Sequence, residues 1–186
     1  MEAVLGDEAD LGIMSYPLAD RSLTVVPLQD EPMGFVCHPS HRLARRRLMP
    51  ADLAGEPFVA FDAGLTIRKA IDRALRQANV RPNIVMEFDN IETIKQAISI
   101  AAGVSILPLH TVEKEASIGM LVAVRLGVPD LVRPVAIIHR RQKPLTPTAS
   151  RFIDLLREAA SKLGEVDRTT PIRRTSRRGP ARALRG

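Results

Sequence analysis

The chain has 186 residues, of which 45% are hydrophobic, 3% aromatic and 26% charged. That is the balance of an ordinary globular protein; it excludes a collagen-like, wholly disordered or disulfide-scaffold chain and leaves too few aromatics for a reader that stacks on bases. The formal charge is +6, but seven arginines against Glu165 and Asp167 put +5 of it into residues 164–186, so residues 1–163 carry only +1.

In chain order, Glu2 to Leu5 closing at Gly6 reads as the last turn of a helix, followed at once by a strand. The expectation is that earlier strands of this domain lie outside the chain. Strands are predicted over residues 9–14, 23–28, 33–38, 57–61, 83–88, 104–107, 120–126 and 133–140, as short β-branched runs bounded by turn residues. A first helix carries the stripe Ile67, Ala70, Ile71, Ala74, Leu75 and Ala78, entered through Gly64-Leu65-Thr66 and left at Asn79. In a second, Asp89 and Glu92 are spaced as a capping box, the stripe is Ile91, Ile94, Ile98 and Ala101, and Gly103 supplies the stop. A third opens at Thr146-Pro147, runs its stripe through Phe152, Leu155, Leu156, Ala159 and Leu163, and is predicted to stop at Gly164. From Asp167 onward the chain lacks apolar periodicity and reads as a disordered arginine-rich tail, either a solvated extension or a non-specific hold on a polyanion. Strands alternating with helices argue for an α/β fold with mainly parallel sheets.

The single cysteine, Cys37, excludes an internal disulfide and lies in an apolar run where a buried, inert thiol is the usual case. His38 and His41 stand three apart, but Pro39 between them opposes a helix that would join them, so no metal site is assigned. The triple arginine Arg45-Arg46-Arg47 reads as a solvated surface or a phosphate contact. No signal peptide or membrane span is read, and a cytoplasmic protein is expected. Without a nucleophile elbow, phosphate loop or dinucleotide fingerprint, nothing supports an enzyme or a cofactor.

Five runs then fall in one order. They are Gly6-Asp7-Glu8-Ala9-Asp10-Leu11-Gly12-Ile13; Pro27-Leu28 leading to Phe35-Val36-Cys37-His38-Pro39-Ser40-His41-Arg42-Leu43-Ala44; and Asp52-Leu53-Ala54-Gly55-Glu56-Pro57-Phe58-Val59. Asp89-Asn90-Ile91-Glu92-Thr93-Ile94-Lys95 into Ala101-Ala102-Gly103-Val104-Ser105-Ile106-Leu107-Pro108 is the fourth, and the strand ending at Arg141 before Pro144-Leu145-Thr146-Pro147 the fifth. Together they resemble the effector-binding module of LysR-type transcriptional regulators over residues 1 to about 163.

The resemblance implies two α/β lobes like those of a periplasmic solute-binding protein (type 2), joined by two crossing strands, with a small effector in the cleft. Residues 1–38 and 141–163 would form an incomplete lobe one, residues 39–140 lobe two and residues 164–186 the tail, with crossings near 35–38 and 138–140. No recognition helix is present, so sequence-specific DNA binding is not carried over. The implied partners are a small-molecule effector, probed first as an anion, and other subunits, either copies of this chain or a full-length relative. An incomplete lobe would expose apolar faces and promote association. Two other readings stay open, a solute-binding protein that buffers a ligand and a nucleic-acid binder working through the tail.

Ligands of open α/β sheets sit beyond the carboxyl ends of strands, where helix N-termini present free N–H groups. That places Gly64, Leu65 and Thr66 after one strand and Asn90 and Ile91 after another in the candidate effector site. Ser15 and Tyr16 face it from lobe one, and Pro108 and His38 complete it. Thr66 and Asn90 are read equally as plain helix caps, Ser15 and Tyr16 as a turn before Pro17, and Arg68 as a solvated side chain or an anion contact.

Overall fold

The structure, a computed structural model, describes residues 1–44, 48–126 and 131–169. The arginine triplet 45–47 and the tail beyond residue 169 lie outside the described residues. One strand organises the rest. β2 (Leu23–Cys37) runs fifteen residues without a break, where the sequence reading has two strands separated by Gln29-Asp30-Glu31-Pro32. Those polar residues stay extended because β7 (Val132–Arg140) pairs across them in antiparallel register, from Leu23 opposite Arg140 to Pro32 opposite Val132. Pro27 has no N–H to give the ladder, and the register shifts by one residue between Pro27 and Gln29.

Beyond Pro32 the partners of β2 change. Met33 to Val36 pair with β5 (Ser105–Pro108), and Gly34 to Cys37 pair on the other side with β6 (Val122–Arg125). At the opposite end, β1 (Gly12–Ser15) pairs with β7, so the path reads β1-β7-β2-β5 with β6 also on β2. All these pairings are antiparallel, which corrects the expected mainly parallel sheet. The parallel part consists of β3 (Pro57–Phe61) beside β4 (Asn83–Phe88), joined to the strand after Gly103 by the Phe58–Val104 bridge, and a Leu48–Leu126 bridge. β3 and β4 have the bounds the sequence predicts.

Gly103 is required where β3 meets β5, since a Cβ there would stand 2.6 Å from the Pro57 carbonyl oxygen. Gly34 is required on β2 for a similar reason, a Cβ meeting Leu109 Cδ2 at 2.5 Å and the Val124 carbonyl at 2.7 Å.

Two hydrophobic clusters result. The larger joins Phe35, Phe58, Leu43, Leu53, Ile71, Leu75, Ile94, Ile98, Ile106 and Leu107 around the β3–β5–β2 sheet. The smaller centres on Val4, Leu23 and Ile138, beside the short helix α1 (Glu2–Leu5). Helix α2 (Thr66–Gln77) buries Ile71, Ala74 and Leu75, and α3 (Ile91–Ser99) buries Ile94 and Ile98, as their stripes predict. Ala101 lies past the end of α3 with a positive φ and is exposed. One short helical turn (Leu109–Val112) and α4 (Glu113–Ser117) follow β5, and another short turn (Pro50–Leu53) precedes β3.

The last helix, α5 (Pro147–Thr169), departs from its reading twice. It runs through Gly164, because a lone glycine costs a helix only about 1 kcal/mol and the next strong breaker in the sequence is Pro171. It also turns a different stripe inward: Ala149, Ile153 and Ala160 are buried, whereas Phe152 and Leu155 stand 48% and 47% exposed. Among the described residues, no helix is long and apolar enough to cross a membrane.

Candidate functional site

β3, β4 and β5 all end at the edge where β2 changes partners. Pro108, the last residue of β5, is opposite Met33. The Asp62 N–H donates to the Phe88 carbonyl at 2.8 Å, which draws the ends of β3 and β4 together. Past β3 the Asp62 side chain accepts from the Gly64 N–H at 2.8 Å and its carbonyl from the Leu65 N–H at 3.1 Å, turning the chain directly into α2. Leu65 is the residue before the helix; it is extended and offers no side-chain cap. The first N–H groups of α2, at exposed Thr66 and half-buried Ile67, are therefore left free of a capping side chain at the positive end of the helix.

The neighbouring helix is different. Asn90 caps α3, its Oδ1 accepting from the Thr93 N–H and Thr93 hydroxyl at 2.9 Å each, and its Nδ2 donates to Asp89 at 2.8 Å. The cap reading therefore holds for Asn90, and the capping pair is Asn90 with Thr93 rather than Asp89 with Glu92. Ile91 opens α3 half-buried beside it.

From the smaller cluster's side, Ser15 ends β1 opposite Val135, and Tyr16 follows with φ 52°. A bulky residue in the left-handed region is strained and needs surrounding structure to hold it. Here the Tyr16 N–H donates to the Pro134 carbonyl at 2.8 Å, and the hydroxyl reaches Met33 Sδ at 3.6 Å. Burial pushes its phenol up, with the Glu31 charge adding to the rise and Arg133 opposing it. Tyr16 thus meets the edge formed by Pro108 and Met33.

His38 does not join this group. It lies five residues beyond Met33 along β2, roughly 16 Å at ~3.3 Å per residue, past the start of β5 rather than its end. Its Nδ1 is 2.7 Å from Ser40 Oγ and it turns the local chain. His41 pairs separately with buried Glu56 at 3.0 Å.

The sequence reading missed a polar floor. Glu31, 8% exposed, is opposite Arg133 in the β2–β7 ladder; its carboxylate takes Arg133 at 2.5 Å and Gln29 at 3.0 Å, with His110 Nε2 at 3.6 Å. No local signal marks these residues, because the pairing joins positions about a hundred apart. Arg68 was read as solvated or as an anion contact; the structure buries it at 7% exposure among protein acceptors, and neither reading holds.

Comparison with known proteins decides the family, since the model of the LysR substrate binding domain matches residues 1–161. The chain belongs to the LysR substrate-binding domain family. It is 32% identical over 155 residues to the uncharacterized HTH-type transcriptional regulator YeiE of Escherichia coli K12, covering 83% of this chain and 53% of YeiE. It is 31% identical over 163 residues to the HTH-type transcriptional regulator CbbR of Rhodospirillum rubrum, covering 86% of this chain and 54% of that one. The chain thus spans about half the length of these relatives. The regulatory domain of CcmR from Synechocystis PCC6803, solved in complex with 2-PG, superposes with a TM-score of 0.76 at 25% identity, over 87% of this chain and 78% of that domain. The LysR substrate-binding domain has the type 2 periplasmic-binding-protein-like fold, and its relatives here are transcriptional regulators rather than enzymes.

Proposed function

We propose that this LysR substrate-binding domain senses a small anionic metabolite in a cleft between two lobes. Residues 1–38 with 141–163 form one lobe and residues 39–140 the other, and the change of partners on β2 after Pro32 supports placing their junction on the paired strands β2 and β7. The observation that carries the reading is the uncapped head of α2, beside an α3 whose own N-terminus is already capped by Asn90. Free N–H groups at a helix N-terminus favour a carboxylate or phosphate. Tyr16 and Ser15 face the same edge from the other lobe, so a ligand touching both sides would bind the closed form better and shift the population toward it. The 2-PG complex of the CcmR regulatory domain supports a small ligand in this fold. In this reading the chain works in the cytoplasm, needs no cofactor, and reaches DNA through association with an HTH-bearing subunit.

The testing pair is Thr66→Ala and Thr66→Pro, titrated with a panel of small carboxylates, phosphate monoesters and neutral analogues. Proline is accepted at a first helical position, and Leu65 already has the extended backbone that precedes proline. Thr66→Pro should keep the melting temperature while weakening anion binding about tenfold, near the lower end for a hydrogen bond to a charged group. Equal affinity in T66P and the parent chain contradicts the site.

A further inference from the structure

Arg68 lies in the first turn of α2, one residue beyond the free N–H groups, and its guanidinium is buried. Nε donates to both Asp72 oxygens at 3.0 Å, and Nη1 to the Phe61 carbonyl at 2.5 Å and Glu87 Oε1 at 2.7 Å. Phe61 ends β3 and Glu87 is the penultimate residue of β4. One planar group therefore joins the head of a helix to the ends of two strands. Burial opposes its charge, but Glu87 and Asp72 outweigh that and hold it firmly protonated.

We propose that Arg68 is a positioning residue for the anion site: it fixes where the Thr66 and Ile67 N–H groups stand relative to the ends of β3 and β4, and so sets ligand affinity without touching the ligand. The inference rests on the site reading given above. With no cap at Leu65, the Asp62 N–H ties the start of the loop to Phe88 and its side chain closes the turn on Gly64, while the Arg68 bonds hold the helix head itself to the sheet. Charge attraction does not explain the cluster. One guanidinium against two carboxylates is net negative, which repels an anion, so the cluster's benefit to the site is geometric.

The two explanations predict opposite signs for Glu87→Ala. Glu87 has a side chain 41% exposed on an edge strand, so its removal is well tolerated. If charge governed, losing a carboxylate would tighten anion binding; if position governs, losing the tie to β4 weakens it. The experiment titrates the full 186-residue chain and its E87A and R68K variants with inorganic phosphate. It follows the Thr66 and Ile67 amides by NMR shift, together with hydrogen exchange at the bonded Leu65 and Lys69 amides and each variant's melting temperature.

Phosphate affinity should fall about threefold in E87A and about tenfold in R68K, whose ammonium keeps the charge but not the planar fork. The Leu65 and Lys69 amides, bonded to the Asp62 and Leu65 carbonyls at the helix head, should exchange faster at temperatures where the proteins are fully folded. Unchanged or tighter binding in folded E87A overturns the proposal, and E87A carries the test alone if R68K does not fold. If phosphate leaves Thr66 and Ile67 of the parent chain unmoved, the anion reading fails instead. The positioning role is then judged by exchange, supported by faster exchange at the Leu65 and Lys69 amides in E87A and overturned by none.

Discussion

At the scale of single residues, burial decides what each polar group does. Lys95, 8% exposed on α3, donates to Glu115 at 2.8 Å and the Thr111 carbonyl at 3.1 Å, and pairs with Glu92 at 2.8 Å. Lys95→Met strands Glu115 and that carbonyl, and should cost about 1–3 kcal/mol, read as a lower urea midpoint with unchanged slope. Cys37 is fully buried, and burial alone pushes its thiol up to about 12 from an ordinary 9.0. A raised folded value means that the proton is held more tightly in the native state. The stability it supplies is full below pH 9 and is lost as pH rises toward 12. A thiol reagent at pH 8 should leave Cys37 unmodified in the native protein and label it completely in denaturant; rapid native labelling would contradict the buried placement. Cys37 was legible in the sequence because an apolar run around a cysteine is a local signal. Arg68 was not, since its burial depends on Glu87, nineteen residues away and on another element.

Among elements, agreement follows how local the determining signal is. β3, α2, β4 and α3 were read closely because turn residues and apolar stripes bound each of them within a few residues. β2 was split because Gln29-Asp30-Glu31-Pro32 has the composition of a turn, and only pairing with β7 keeps it extended. The face of α5 was misjudged because the helix carries two apolar stripes, and the sheet, not the helix, selects between them. The same reasoning gives the sharpest element-scale prediction. Gly103→Ala puts a Cβ against the Pro57 backbone, where no flexible side chain can give way. It should destabilise by about 1–3 kcal/mol, the range for overpacking, and protection of the Val59 and Val104 amides, which bond across that junction at 2.8 Å, should fall with it.

For the whole molecule, the expected alternation of strands and helices was right in kind, but its pairing was not. Strand direction depends on long-range pairing, and a sequence read in order underestimates the antiparallel share that β2 and β7 create by pairing over about a hundred residues of separation. Among the exposed apolar side chains, Ile84, Val85 and Met86 stand in a row along β4, between 38% and 45% exposed, and Phe152 and Leu155 stand on one stretch of α5. An edge strand with apolar side chains open to water invites pairing. Sedimentation should therefore find concentration-dependent association of the isolated chain, which Val85→Lys reduces; a monodisperse monomer at all concentrations contradicts this.

The central claim is that this LysR substrate-binding domain takes its ligand at the edge where β2 changes partners. The direct measurement is an NMR shift map of the labelled chain with each binding compound from a panel of small carboxylates and phosphate monoesters. The chain has one tyrosine and no tryptophan, so the Tyr16 ring, beside Met33, reports on that edge by fluorescence in the same samples. The account predicts that the largest shifts converge on Thr66, Ile67 and Tyr16, with a matching change in tyrosine emission. Binders whose shifts gather instead around His38 and Ser40 at the far edge, or around Asp7 and Lys143, would contradict it.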